Sequence, residues 1–357
     1  MKSKVYFIAC EGGYGLPKTA EKLRRLLQAS RVLDCAAAQD AAAVKLHFGE
    51  AGNTGFVPPP LLRVVAEELK ARGAKPFLSD TNTLYKGRRT NSADHLRLAH
   101  EHGFTPEAAG AEVIIPDDTR PENVHSVDLG GRYIKTARVA RVYALADALV
   151  GVAHFKGHIM CGFGGALKNV GMGCATREGK LAQHSDVSPT VMEPSCTGCG
   201  SCTSVCSVQA ITLNEGRSTI DAKLCVGCAS CLAACPEGAI QVRWEAGGNV
   251  IQEKMVEYAK AVLTAKKGKA AFLNFCIKIT AECDCLAKDD PRIAPDLGIL
   301  ASNDPVALDQ ACYDLVVKAA GHDVFKATHP RRDGSKQLRY GEEIGLGVRE
   351  YELIKVG

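Results

Sequence analysis

Eight of the sixteen cysteines stand in two blocks of one spacing, Cys196, Cys199, Cys202 and Cys206, then Cys225, Cys228, Cys231 and Cys235. Each block reads C-x2-C-x2-C-x3-C, and the second begins 29 residues after the first. Three thiolates so spaced sit on one tight loop and take three corners of a cuboidal iron–sulfur cluster. The fourth lies on the helix that follows and serves the other cluster. This rule assigns Cys196, Cys199, Cys202 and Cys235 to one [4Fe-4S] cluster and Cys225, Cys228, Cys231 and Cys206 to a second. Both blocks run into matching apolar tails, Gln209–Leu213 and Gly238–Val242, so a whole half-domain is duplicated. Zinc needs only four thiolates per site and no crossed fourth ligand. Disulfides suit small secreted chains, whereas only a short apolar run follows Met1-Lys-Ser-Lys here, with no secretory h-region.

Residues 193–245 resemble bacterial two-cluster ferredoxins through these blocks. Ser207 stands where that pattern usually has proline, which removes a backbone constraint but no ligand. Two [4Fe-4S] clusters imply a protein electron donor or acceptor, and with sixteen cysteines and no export signal they imply a reducing, anaerobic cytoplasm.

A second constellation runs from His154 to Cys174. It sets His154, Lys156, His158 and Lys168 among glycines, including Gly164 and Gly165, that let backbone approach a ligand. Amides of a glycine turn entering a helix bind phosphate or carboxylate, so a small anionic substrate is expected. His158 precedes Lys168 by ten residues and Lys168 precedes His184 by sixteen, with Gly162-Phe163 and Gly164-Gly165 between the first two. This spacing resembles the lactate racemase family. The resemblance implies a nickel cofactor carried on Lys168, with His158 and His184 as metal ligand and acid/base residues. Leu167 stands where those enzymes commonly carry arginine, and the twin cysteine blocks are not a racemase feature.

Cys283-Asp-Cys285, with Cys276 upstream, can give two thiolates to a further soft metal, provided Cys161 or Cys174 comes near. Cys10, Cys35 and Cys312 lie in apolar segments and read as core.

The elements that must position these residues follow an α/β pattern. Strands are expected at 5–9, 43–48, 75–79, 112–115 and 148–153, with helices at about 17–30, 61–72 and 91–102. After the cysteine blocks come a helix over 250–267, strands over 270–279 and 296–302, and a helix opened by Asp304-Pro305 and running to about Ala320. The fold class is therefore α/β: a mainly parallel sheet framework, residues 1–192 and 246–357, interrupted by an α+β ferredoxin-like insert, 193–245. Ligands bind such sheets beyond the carboxyl ends of the strands. There Glu50, Asp80, Asn82, Lys86 and Arg88 are candidates for cofactor or substrate binding.

Basic and acidic residues number 44 and 40 without a block of like charge, so neither nucleic acid nor an anionic membrane is implied. No stretch approaches about 18 uninterrupted apolar residues, so no transmembrane helix is expected. Gly12-Gly-Tyr-Gly15 lacks the G-x-G-x-x-G spacing, which disfavours direct nicotinamide use.

Taken whole, residues 1–325 resemble the family called domain of unknown function 362, in which a two-cluster module is often inserted. The resemblance is carried by Val44–Glu50, Ser79–Tyr85, His154–His158, Gly162–Cys174 and Ile299–Val306. Three functions are compatible with these residues. One is a reductase-like enzyme whose clusters feed electrons to a cleft where Lys156, Lys168, His158 and His184 bind and protonate an anion. The others are an electron-transfer or maturation partner, and a racemase-like isomerase with nickel on Lys168.

Overall fold

Proline and glycine set most framework boundaries. Helix α1 (Leu16–Ser30) carries Pro17 in its first turn and α2 (Pro59–Ala71) opens on a proline pair, where a missing N–H costs nothing. A computed structural model of the chain describes residues 2–10, 15–184, 188–242 and 250–357. Gly12, Gly13 and Tyr14 of the expected glycine turn and the insert boundary expected at 245 lie outside these residues.

In chain order the framework runs β1 (Ser3–Ala9), α1, β2 (Ala41–Lys45), α2, β3 (Lys75–Ser79), α3 (Ser92–Glu101), α4 (Pro106–Ala109) and β4 (Val113–Ile114). A hairpin, β5 (Val124–Asp128) and β6 (Thr136–Ala140), leads through α5 (Arg141–Leu145) to β7 (Ala148–His154). A second hairpin, β8 (Lys156–His158) and β9 (Gly162–Gly164), precedes α6 (Ala166–Gly171) and α7 (Arg177–His184). The cysteine segment holds β10 (Thr190–Val191), α8 (Ser201–Ser204), β11 (Ile211–Asn214), β12 (Arg217–Ile220), α9 (Ser230–Ala234) and β13 (Ile240–Gln241). The framework resumes with α10 (Ile251–Thr264), β14 (Ala270–Cys276), β15 (Gly298–Ser302), α11 (Pro305–Ala320), α12 (Val324–Thr328), α13 (Ser335–Glu343) and β16 (Tyr351–Lys355).

Eight strands form one sheet in the order β16-β1-β15-β14-β7-β2-β3-β4. Every neighbouring pair is parallel except those of β15, which runs antiparallel to both β1 and β14. All seven residues of β7 and of β14 are buried, as central strands covered on both faces must be. One core, with Tyr143, Phe155, Met255 and Phe272, lies under α6, α10 and α11. The other, with Leu23, Leu27, Leu61, Leu62 and Phe104, lies under α1 and α2. The strand expected over 43–48 ends at Lys45, and that expected over 270–279 ends at Cys276. At those points the chain leaves the sheet for the loops that build the cleft.

The cysteine segment repeats its own backbone. Gly198 and Gly227, Gly200 and Ala229, and Gln209 and Gly238 all have positive φ, between 52° and 74°, and each pair shares the 29-residue offset of the cysteine blocks. Strand β10 pairs with β13 and β11 with β12, while α8 packs on α9. The small core formed by Cys202, Ile211, Cys231, Leu232, Ile240 and Val242 is completed by Leu84 and Leu181 of the framework. Among the described residues, no helix is long and apolar enough to cross a membrane.

Candidate functional site

The loops beyond β2, β3, β7 and β14 enclose a cleft of about 450 Å³. On one wall Lys45, the last residue of β2, is buried with Nζ 3.1 Å from Asp80 Oδ1, and it donates to Asn169 Oδ1 at 2.9 Å. Burial raises the Asp80 carboxyl, but the Lys45, Lys180 and Arg89 cations and His95 hold it below the ordinary carboxylate range. Gly173 is required beside Lys45, since a Cβ there would stand 2.3 Å from the backbone oxygen of Asn169. Arg89 donates to Glu50 Oε2 at 3.1 Å and to Tyr85 Oη at 2.6 Å, and its Nη1 lies 3.0 Å from His47 Nε2. Burial first, then the Arg89 and lysine cations, push the His47 imidazole well below its usual range.

On the opposite wall His154 and Lys156 grip the acidic residue of the Cys-Asp-Cys loop. His154 Nδ1 lies 2.9 Å from Asp284 Oδ1 and Lys156 Nζ 3.0 Å from Oδ2. His154 Nε2 faces the carbonyls of Ile277 and Lys278, so both ring nitrogens are engaged. Against the burial that raises it, His154 and the Lys156 ammonium hold the Asp284 carboxyl far below the usual range. Gly157 allows the loop to close down, because a Cβ at that position would lie 2.1 Å from Ala281 O. The result is that His158, Cys283 and Cys285 bring their ligand atoms within 4.8 Å of one another.

Lys168 completes this wall with Nζ 3.7 Å from Cys283 Sγ. Helix α6, which carries it, is capped from α11: Asp309 accepts from Ala166 N at 2.7 Å and Leu167 N at 2.9 Å. A hydrogen bond with Cys285 first, and then the Lys168 and Lys156 cations, draw the Cys283 thiol well below its ordinary value against burial. Lys180 and His184 of α7 close the end of the cleft. Burial brings the Lys180 ammonium down to about 7 although Asp80 and Asp118 oppose it, and burial with Lys168 and Lys180 lowers His184 to about 3.

Cys196, Cys199, Cys202 and Cys235 line one cavity with Ser218 and Ile240. Backbone N–H groups point at sulfur in matched pairs, Ala210 N to Cys206 and Ala239 N to Cys235, both at 3.2 Å. Ser201 Oγ lies 3.4 Å from Cys199 Sγ and Ser230 Oγ 3.5 Å from Cys228 Sγ, again one repeat apart. Four convergent thiols with N–H donors on the sulfurs fit a [4Fe-4S] cluster.

Residues 42–314 match the family described as Domain of unknown function (DUF362). The chain belongs to this family. No match is found among curated proteins. Among solved structures, the lactate racemase apoprotein from Thermoanaerobacterium thermosaccharolyticum is similar at 13% identity and a TM-score of 0.42, over 78% of this chain and 51% of that one. A protein from Thermotoga maritima is similar at 14% identity and a TM-score of 0.42, over 86% and 59%. The chain thus spans little more than half the length of these structures.

The DUF362 span, narrower than residues 1–325, contains every cleft residue named above and both cysteine blocks. Of the residues singled out in the sequence, His154, Lys156, His158, Gly164, Gly165, Lys168, His184, Asp80, Cys283 and Cys285 line the cleft. Glu50 is buried beneath it, paired with Arg89. Asn82 is also buried, donating to Ser92 Oγ and Pro116 O. Arg88 turns outward to Glu101 at 2.7 Å, and Lys86 donates to Pro236 O of the cysteine segment. Cys276 and Cys174 are buried away from the Cys-Asp-Cys loop, Cys276 next to Cys312, and Cys161 faces Met255. The third donor near Cys283 and Cys285 is instead His158. Cys10 and Cys312 are buried and Cys35 is half-buried. Sequence reasoning missed Lys45, His47, Arg89 and Lys180. The first two sit in Val44–Glu50, a segment that carried the family resemblance, and their polarity inside an otherwise apolar strand end was the available signal.

Proposed function

We propose that the chain is an iron–sulfur reductase-like enzyme, in which two [4Fe-4S] clusters held by the twin blocks feed electrons to an anion bound in the cleft. The observation that carries this is a shared wall. Leu84 lines the cleft and also packs in the small core around Cys202 and Cys231, and Leu181 of that core lies between the cleft residues Lys180 and His184. Bound clusters supply one-electron transfer. The chain's own residues do the rest. Lys168 and Lys180 attract the anion, while Lys45 and Arg89, neutralised by Asp80 and Glu50, shape its seat. Val205, Val208, Leu213, Leu224 and Val226 are exposed on the cysteine segment and offer a protein electron donor apolar contacts.

A pure electron relay is the weaker reading, since a relay has no use for a deep cavity ringed by five cationic side chains, Lys45, Arg89, Lys156, Lys168 and Lys180. The racemase-like reading draws on the convergence of His158, Lys168 and His184 on one cleft. It requires nickel in active protein and added mass on the Lys168 peptide, and an unmodified lysine there removes it. The reductase reading is tested by reducing cluster-loaded protein anaerobically and following reoxidation spectroscopically as anionic two-electron acceptors are added. An acceptor that reoxidises wild type should fail with Lys168→Gln while the cluster spectrum is unchanged. Full-speed reoxidation in that variant refutes the reading.

A further inference from the structure

Cys283 and Cys285 stand outside the twin-block ligand pattern, yet they do not behave as packing cysteines. Their sulfurs and a His158 ring nitrogen lie within 4.8 Å of one another on the cleft wall. The Lys168 ammonium lies 3.7 Å from Cys283 Sγ, where it stabilises a thiolate and so a nucleophile. His158 Nδ1 accepts N–H bonds from Met160 at 3.1 Å and Cys161 at 3.2 Å. The neutral ring therefore carries its proton on Nε2, as a donor rather than a lone pair for a metal. Asp284, between the two cysteines, is locked by His154 and Lys156, and Gly157 holds the loop close. Two adjacent thiols, one beside a cation, with an N–H donor at hand and a cavity in front, make an arrangement suited to thiol–disulfide exchange.

We propose that Cys283 and Cys285 are a two-electron dithiol/disulfide couple acting on an anionic disulfide in the cleft. The Cys283 thiolate attacks one substrate sulfur, forming a mixed disulfide and expelling the first substrate thiolate. Cys285 then attacks Cys283, expels the second and closes the Cys283–Cys285 disulfide. The two product thiols take the Cys285 proton and one proton from solvent. Reopening the protein disulfide consumes two electrons and one proton and restores thiolate and thiol. That the electrons arrive singly, through the two clusters, rests on the function proposed above.

The couple is tested on full-length, cluster-loaded protein equilibrated anaerobically with dithiothreitol at graded oxidised-to-reduced ratios, then quenched in acid, alkylated and digested. The peptide carrying Cys283 and Cys285 should gain two alkyl groups together in one two-electron transition, and Cys285→Ser should show one alkyl group at every ratio. Two alkylated cysteines at all ratios overturn the couple, as does one tightly bound zinc per chain shielding both thiols. The dithiol form should be oxidised by the anionic disulfide probe oxidised glutathione, and Cys283→Ser should not react with it. A dithiol inert to that probe overturns the assignment of a disulfide substrate. Reduced methyl viologen should open the disulfide about tenfold faster in wild type than in the cluster-deficient Cys199→Ser, Cys228→Ser double variant. Equal rates with an intact two-electron transition leave the couple standing and remove the cluster-fed reductase instead.

Discussion

Lys168 and Lys180 show how two side chains of one type acquire different work from their surroundings. Lys168 is buried, which disfavours its charge, but the Cys283 and Cys285 sulfurs more than compensate and raise its ammonium above the ordinary value. Cation and thiolate thus stabilise each other. Lys168→Gln should slow alkylation of Cys283 by iodoacetamide in the folded protein at neutral pH about tenfold, quantified on the Cys283 peptide after quenching and digestion, since thiolate fraction controls the rate. An unchanged rate means that the hydrogen bond with Cys285 alone sustains the thiolate. For Lys180 burial is the largest influence, and it brings the ammonium down to about 7 even though Asp80 and Asp118 pull the other way. A lysine whose folded-state value is depressed is charged below about 7 and neutral above it. Affinity for an anion held by Lys180 should therefore fall as pH rises through 7, by up to about tenfold per unit. Lys180→Met should flatten that dependence. Stability moves the opposite way: between about 7 and the ordinary lysine value the unfolded chain binds the extra proton, so this residue's contribution to stability increases with pH across that window.

At the scale of elements, the hairpin β8–β9 is held against the Cys-Asp-Cys loop by the absence of a side chain. Gly157 N donates to Thr280 O at 2.9 Å, and a Cβ on Gly157 would meet Ala281 O at 2.1 Å. Gly157→Ala should cost about 1–3 kcal/mol, the usual range for overpacking. It should also move His158 away from Cys283, read as a lower melting temperature together with an altered Cys283 alkylation rate. Persistence of both wild-type values contradicts the close approach. Strand β7 and helix α11 were legible because a long apolar run, proline at a helix start and the Asp304 cap are local signals. Strand β16 and the two hairpins were not, being short and, for β16, decided by the parallel partner β1 nearly the whole chain away. The cleft divides in the same manner. The sequence pattern identified the His154–Lys168 stretch, but the meeting of His158 with Cys283 depends on β7 pairing with β14, which no local spacing encodes. Arg88 and Arg89 are adjacent and chemically alike, and only the direction of the loop sends the first to Glu101 in solvent and the second to Glu50 under the cleft.

At the scale of the whole molecule, stability is distributed unevenly. The framework has two large apolar cores on the two faces of its sheet, neither of which draws on the twin cysteine blocks. The cysteine segment has one small core in which Cys202 and Cys231 are themselves members, completed by Leu84 and Leu181 from outside. So few apolar side chains hold a segment only marginally, and metal coordination ordinarily supplies the difference in domains of this size. Because Cys235 of the second block lines one cavity with Cys196, Cys199 and Cys202 of the first, a cluster bound there would tie the two half-repeats to each other. Loaded protein should carry about eight irons per chain, and Cys235→Ser or Cys196→Ser should each bring this down to about four by removing the same cluster. Chelation of all the iron should leave most far-ultraviolet circular dichroism intact, since the sheet and its covering helices keep their cores. Limited proteolysis of the iron-free protein should then cut first between residues 196 and 242. Cleavage starting instead in the framework, or loss of most helical signal on chelation, means that the clusters stabilise the whole molecule through the Leu84 and Leu181 wall rather than the segment alone.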